Sequence, residues 1–150
     1  MRVTDLLRKQ HAETKAQIDR LEACSVDERS QILAELSAGL RAHAQSEEEI
    51  LYPKLEDQTE TRDIIEESYE DHEEMKAALA DLERCSVDDE EFLDRVQAVE
   101  DLLIGHVKDE EGLLFPKIEE LWTDELMRRI GEELHLRFDE LVSGGPEVRV

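Results

Sequence analysis

Residues 43–56 read HAQSEEEILYPKLE, and residues 106–119 read HVKDEEGLLFPKIE. The second stretch is a worn copy of the first: a His, a Glu four positions on, then an aliphatic-aromatic-Pro step. The copying extends upstream. Residues 6–28, LLRKQHAETKAQIDRLEACSVDE, are answered by residues 67–89, ESYEDHEEMKAALADLERCSVDD. In order, His11, Cys24, His43, Glu47 and Pro53 correspond to His72, Cys85, His106, Glu110 and Pro116. Each unit has the pattern of a helical hairpin that carries one lone His and one His-x-x-x-Glu.

The apolar spacing places those polar groups inside. A helix over roughly residues 4–23 aligns Leu7, His11, Thr14, Ile18 and Leu21 at alternating steps of three and four, one face of a helix. A second, roughly residues 27–56 with Ser25 or Asp27 as its cap, aligns Leu36, Leu40, His43, Glu47 and Ile50. A third, roughly residues 60–84, aligns Ile65, Tyr69, His72, Lys76 and Leu79. A fourth, started by Ser86 or Asp88 and running to about Leu121, aligns Phe92, Val96, Val99, Leu103, His106, Glu110 and Leu113. Thr123 opens a fifth, ending near Ser143 and Gly144, with the stripe Met127, Ile130, Leu134, Phe138 and Leu141. Short connections make neighbours antiparallel, so the expected fold is all-α, an up-and-down four-helix bundle with an additional C-terminal helix. Residues 1–142 are read as one domain: two hairpin repeats (about 5–56 and 62–121) and a C-terminal helix (about 123–142), with 143–150 as a tail.

Depth along the bundle agrees. His11 and His72 each precede their cysteine by 13 residues, about 20 Å at 1.5 Å per residue. His43 and His106 lie 16 and 18 residues beyond Asp27 and Asp88 on the returning helices. Four imidazoles thus share one layer, with Glu47 and Glu110 a turn away. Acids fill 41 of 150 positions, so a single His-x-x-x-Glu carries little information. Two copies at matched depth, facing two lone histidines, carry much more. Buried without partners, such groups cost about 1–3 kcal/mol each, and a metal satisfies them together. Imidazole with carboxylate suits iron, manganese or zinc. Six ligands exceed one tetrahedral ion and leave two octahedral ions with open positions.

The lone His, HAQSEEEILYPKL, the lone His of EDHEEM, and HVKDEEGLLFPKI together resemble the hemerythrin-like HHE cation-binding domain, over roughly residues 5–120. The resemblance implies a di-iron centre, two iron ions with a bridging oxo or hydroxo group. It further implies His11, His43, Glu47, His72, His106 and Glu110 as ligands, Glu47 and Glu110 bridging; manganese or zinc are the expected substitutes. Hemerythrin proper has a second histidine one turn along its third helix and His-x4-Asp on the fourth. Here those places hold Lys76 and Glu110, which implies a more open centre. The expected function is binding or sensing of O2, NO or peroxide, rather than stable oxygen carriage. The alternatives are peroxide or NO turnover at the same centre, and iron buffering.

Other residues are read more plainly. Tyr69 is an ordinary core tyrosine one turn from His72, with a hydrogen bond to the centre as its competing role. Lys76 snorkels outward. Glu48, Glu73, Glu74 and Glu111 belong to solvated faces, and His135 lies off its helix's stripe. Pro53 and Pro116 kink or end their helices. Trp122 anchors the fifth helix, whose stripe is alternatively a homodimer face. With 18 basic against 41 acidic residues and a net charge of −23, phosphate backbones and anionic membranes are disfavoured partners. The charged N-terminal stretch does not read as a signal peptide, and two cysteines without a C-x-x-C suggest a reduced, cytoplasmic chain. A Cys24–Cys85 disulfide at the shared end of the bundle stays open.

Overall fold

The computed structural model describes residues 1–144 and is helical throughout, as expected. Helix α1 spans Val3–Ala23, α2 Arg29–Ser46, α3 Arg62–Arg84, α4 Phe92–Asp109, α5 Phe115–Leu121 and α6 Asp124–Gly144. The first four form the bundle, α1 on α2 and α3 on α4 as hairpins. Helix α6 lies across α1 and α2. Of the expected tail, Ser143 and Gly144 still belong to α6, and residues 145–150 lie outside the described part.

Two apolar clusters sandwich a polar layer. At the cysteine end, Ile18, Leu21, Leu36, Leu79, Phe92, Val96 and Val99 pack together. At the proline end, Leu7, Leu51, Leu55, Ile65, Leu114 and Ile118 pack with Met127, Ile130 and Leu134 of α6. Between them sit His11, His43, His72, His106, Glu47 and Glu110, all buried. Of the α6 stripe, Met127, Ile130, Leu134 and Leu141 are buried within their own chain and Phe138 is half-buried. Trp122 does pack on this cluster, and Thr123 caps α6 by accepting the Leu126 N–H at 3.1 Å. The helix approaches the N-terminal strand of backbone so closely that a Cβ on Gly131 would lie 2.3 Å from the Met1 carbonyl oxygen.

Two local departures from the expected helices matter. In place of one long second helix, α2 is followed by a π-turn at Glu47–Leu51 and a short 3-10 turn at Tyr52–Lys54. The fourth helix is likewise interrupted by a π-turn at Glu110–Leu114 before α5. Each π-turn begins at the repeated glutamate and ends just before the aromatic-Pro step. Proline lacks an N–H and crowds the carbonyl four residues back, and a widened turn ahead of it relieves that register. The Tyr52 N–H donates to Glu47 O, and the Phe115 N–H to Glu110 O, five residues back. One residue is thereby inserted into the apolar register. Leu113, expected in the core, is 53% exposed, and Leu114 takes its place; Ile50 likewise yields to the fully buried Leu51.

The start of the fourth helix also moves. The Ser86 hydroxyl donates to Asp88, and the Asp89 carboxylate accepts the Glu91 N–H, so the segment is a turn and α4 begins at Phe92. Cys24 to His43 is 19 residues and Cys85 to His106 is 21. Because α2 and α4 are both 18 residues long, the two extra residues lie in this turn. Cys24 and Cys85 are free thiols. No described helix is long and apolar enough to cross a membrane.

Candidate metal centre

Six side chains converge from the four bundle helices. His11 Nε2 lies 3.0 Å from Glu110 Oε1, and His72 Nε2 lies 3.0 Å from Glu47 Oε1. Within each His-x-x-x-Glu, His43 Nε2 stands 3.3 Å from Glu47 Oε1, and His106 Nε2 stands 3.3 Å from Glu110 Oε2. Two tetrads result, and each can hold a metal ion: His11, His43, Glu47 and Glu110 in one, His72, His106, Glu47 and Glu110 in the other. Both carboxylates are common to both. Each tetrad takes its two imidazoles from one hairpin and one carboxylate from each hairpin.

The outer nitrogens explain why the inner ones face the centre. His11 Nδ1 donates to Glu111 at 2.7 Å, His43 Nδ1 to Gln10 at 2.7 Å, His72 Nδ1 to Glu48 at 2.6 Å, and His106 Nδ1 to Asp71 at 3.1 Å. These partners accept at the contacting atom, so every Nδ1 carries its proton and every neutral ring turns an Nε2 lone pair inward. Lone pairs facing carboxylate oxygens repel unless something positive lies between. Accordingly, His11 Nε2, His43 Nε2, His106 Nε2, Glu47 Oε2 and Glu110 Oε1 are buried without a hydrogen-bond partner. This donor set of nitrogen and carboxylate oxygen, with its inward atoms unsatisfied, fits borderline divalent cations.

Without a cation, second protons on the imidazoles take the positive role. Burial alone would push His72 down, but hydrogen bonds from Glu47 and Glu48 outweigh it and raise it to about 9. His106, similarly opposed by burial and favoured by Glu110, rises to about 10. Burial and the neighbouring Glu110 push Glu47 upward, yet His43 and His72 bring it below its ordinary value. Glu110 is held well below the carboxylate range by His106 and His11 despite its burial.

A tyrosine completes the layer. The Tyr52 hydroxyl donates to Glu110 Oε2 at 2.5 Å, with Glu47 Oε1 at 3.1 Å and His72 Nε2 at 3.3 Å. The ring is fully buried. Burial, then the charges of Glu110 and Glu47, push its ionisation well above that of an ordinary phenol, so it remains a neutral donor. Its repeat counterpart, Phe115, stacks on His11 at 5.9 Å without a hydroxyl.

The sequence thus brings its six candidate residues together but misassigns two neighbours, Glu48 and Glu111. Tyr69 does not reach the centre: its hydroxyl donates to Glu56 and its ring packs edge-on against Tyr52. Glu48 and Glu111 are more than solvated faces, since they hold His72 and His11. Lys76 does snorkel, pairing with Glu73 at 3.0 Å, and His135 is exposed beside Asp139. The apolar stripes point to neither Gln10 nor Asp71. The signal for them was present in the repeat: a hydrogen-bonding side chain before each lone His, and a doubled Glu in each His-x-x-x-Glu.

Residues 2–118 match the family model for the hemerythrin HHE cation-binding domain. The chain is 31% identical over 119 residues to a protein of Nostoc sp. strain PCC 7120 described as a DNA nickase, covering 79% of this chain. It spans only about a third of that relative's length, 34%. In fold it is similar to the crystal structure of a hemerythrin HHE cation-binding domain-containing protein from Mycobacterium kansasii. The TM-score is 0.85 at 22% identity, covering 96% of this chain and 89% of that one. With a cation-ready centre at the heart of the matched segment, the chain belongs to the hemerythrin HHE cation-binding domain family.

Proposed function

We propose that His11, His43, Glu47, His72, His106 and Glu110 hold two iron ions, with Glu47 and Glu110 shared, and that the protein binds or senses a small ligand there: O2, NO or peroxide. One observation carries the reading. Two buried tetrads share both carboxylates, and every imidazole is tied outward so that its lone pair points in. Bound iron would supply open coordination positions and one-electron redox chemistry.

The chain's own residues do the rest. Glu48, Glu111, Asp71 and Gln10 fix the tautomer and orientation of the rings. Tyr52 offers a neutral proton donor beside Glu110 and Glu47. The apolar clusters on either side keep bulk water from the layer. A net charge of −23 stands against carrying over the nickase activity named for the Nostoc relative, because a DNA backbone would be repelled.

The test is metal content per chain by elemental analysis, with optical spectra before and after NO or peroxide. About two irons and a reversible spectral change support a binder or sensor. Catalytic loss of peroxide or NO would move the reading to an enzyme, and ready metal exchange without an adduct to a buffer. His72→Ala should lower occupancy while His135→Ala leaves it unchanged. Full occupancy in His72→Ala would remove α3 from the centre.

A further inference from the structure

The chain has two tyrosines, and they touch. Tyr52 and Tyr69 meet edge to face, their ring centroids 5.3 Å apart. Tyr52 is fully buried, with its hydroxyl 2.5 Å from Glu110 Oε2. Tyr69 is half-buried, and its hydroxyl donates at 3.3 Å to Glu56, which is exposed. A pair of phenols therefore runs from the sealed His/Glu layer to solvent, and each phenol ends on a carboxylate.

The repeat shows that packing does not demand this pair. With His11 matched to His72 and Pro53 to Pro116, Arg8 corresponds to Tyr69 and Phe115 to Tyr52. Those two also meet: Arg8 Cζ lies 5.2 Å from the Phe115 ring centroid, a cation over an aromatic face. The same two places can thus be filled in contact without any phenol.

What the tyrosines add is chemistry. A phenol gives up an electron far more readily than a phenylalanine ring or a guanidinium. Losing it makes the O–H strongly acidic, so oxidation is easy only where a base stands ready for the proton. Both phenols have that base. Burial, then the charge of Glu56, push Tyr69 up to about 12, so it holds its proton until the electron leaves. Edge-on contact brings the two π systems within direct tunnelling range.

We propose that Tyr52 and Tyr69 form a redox relay, passing electrons one at a time from a surface reductant to peroxide reduced in the His/Glu layer. Converting peroxide to two waters breaks its O–O bond and takes up two electrons and two protons. Each electron comes from Tyr52, whose proton crosses to Glu110 Oε2. Tyr69 then refills the Tyr52 phenoxyl, which recovers its proton from Glu110, while the Tyr69 proton passes to Glu56. A one-electron donor such as ascorbate reduces the Tyr69 phenoxyl, and Glu56 returns the proton. Two ascorbates release two electrons and two protons, the sum that two waters need. The relay rests on the reading above in which iron fills the centre and peroxide reaches it.

Two experiments test it, on wild type, Tyr52→Phe and Tyr69→Phe, each checked for folding by circular dichroism. In the first, iron-loaded protein is mixed with peroxide and freeze-quenched for electron paramagnetic resonance, with ring-deuterated tyrosine identifying the radical. The wild type should show a tyrosyl radical that ascorbate removes. Tyr52→Phe should lose the radical, and Tyr69→Phe should keep one that ascorbate no longer removes. In the second, photogenerated tris(bipyridine)ruthenium(III) oxidises metal-free protein from solution. Wild type and Tyr52→Phe should give a phenoxyl absorbance transient, and Tyr69→Phe should lose it. An undiminished radical in loaded Tyr52→Phe, unchanged ascorbate quenching in Tyr69→Phe, or an undiminished transient in metal-free Tyr69→Phe would overturn the relay while leaving the iron centre intact. A wild type that takes up no iron, or forms no radical with peroxide, would overturn the peroxide reading and the relay with it.

Discussion

Replacing Tyr52 by phenylalanine separates the polar role of that residue from its packing. The ring is fully buried, and Phe115 shows that the fold accommodates a bare ring at the repeated position. The substitution leaves no cavity large enough to matter. What disappears is one hydroxyl proton, donated to the Glu110 carboxylate at 2.5 Å with Glu47 at 3.1 Å. A hydrogen bond to a charged group contributes about 1.5–3 kcal/mol, and an ordinary one about 0.5–1.5 kcal/mol. In the metal-free protein both carboxylates rely on this donor and on the imidazoles, so Tyr52→Phe should cost about 1.5–3 kcal/mol. With two cations bound, the carboxylate charge is compensated and the loss should fall to about 0.5–1.5 kcal/mol. Urea unfolding of both forms, with and without chelator, measures the two values. Equal losses in the two forms would mean that Tyr52 does not share the carboxylates with a metal. No loss in the metal-free form would mean the hydroxyl is not bonded as described.

Three further outcomes are expected. His72 and His106 are raised from 6.5 to about 9 and about 10 in the metal-free fold, so the stability they contribute is complete below pH 6.5 and is lost as pH rises through 9–10. For His72 this is on the order of 3 kcal/mol, and the urea midpoint of metal-free protein should drop between pH 7 and 10.5 while the loaded form holds; a metal-free midpoint that stays level would contradict the assignment. Leu114→Ala should cost about 2–5 kcal/mol and Leu113→Ser less than about 0.5 kcal/mol, and the reverse order in thermal melts would mean the helix runs through without a π-turn. Gly131→Ala should destabilise by about 1–3 kcal/mol, because the new methyl meets backbone at Met1 and Val3; an unchanged melting temperature would show that this contact gives way freely.

Much of this molecule is legible in one sequence because its information is periodic. The three-and-four spacing of Leu7, His11, Ile18 and Leu21 reports a helix face, and repetition turns weak motifs into a converging set. The failures occur where periodicity itself breaks. A π-turn adds one residue without any change in composition, so the stripe continues on paper through Leu113 while the chain buries Leu114. The same slip hides Tyr52, which lies off the uninterrupted register of the second helix. Glu48, Glu111 and Asp71 look like surface because charged side chains at the edge of a stripe usually are. Their contacts with Nδ1 atoms are set by the packing of helices against one another, which spacing along a single helix does not encode.

The wiring of the outer ring also says how the two halves relate. Glu48 of the first hairpin holds His72 of the second, and Glu111 of the second holds His11 of the first. In the repeat, 48 corresponds to 111 and 11 to 72, so each contact is the reciprocal of the other. That is the self-complementary pattern of an isologous two-fold interface, here closed within a single polypeptide. A dimer of identical hairpins would satisfy the same pairings, but symmetry would force its two His/Glu tetrads to be alike. Covalent linkage lifts that constraint: Gln10 can differ from Asp71, and Phe115 from Tyr52, because each is encoded once.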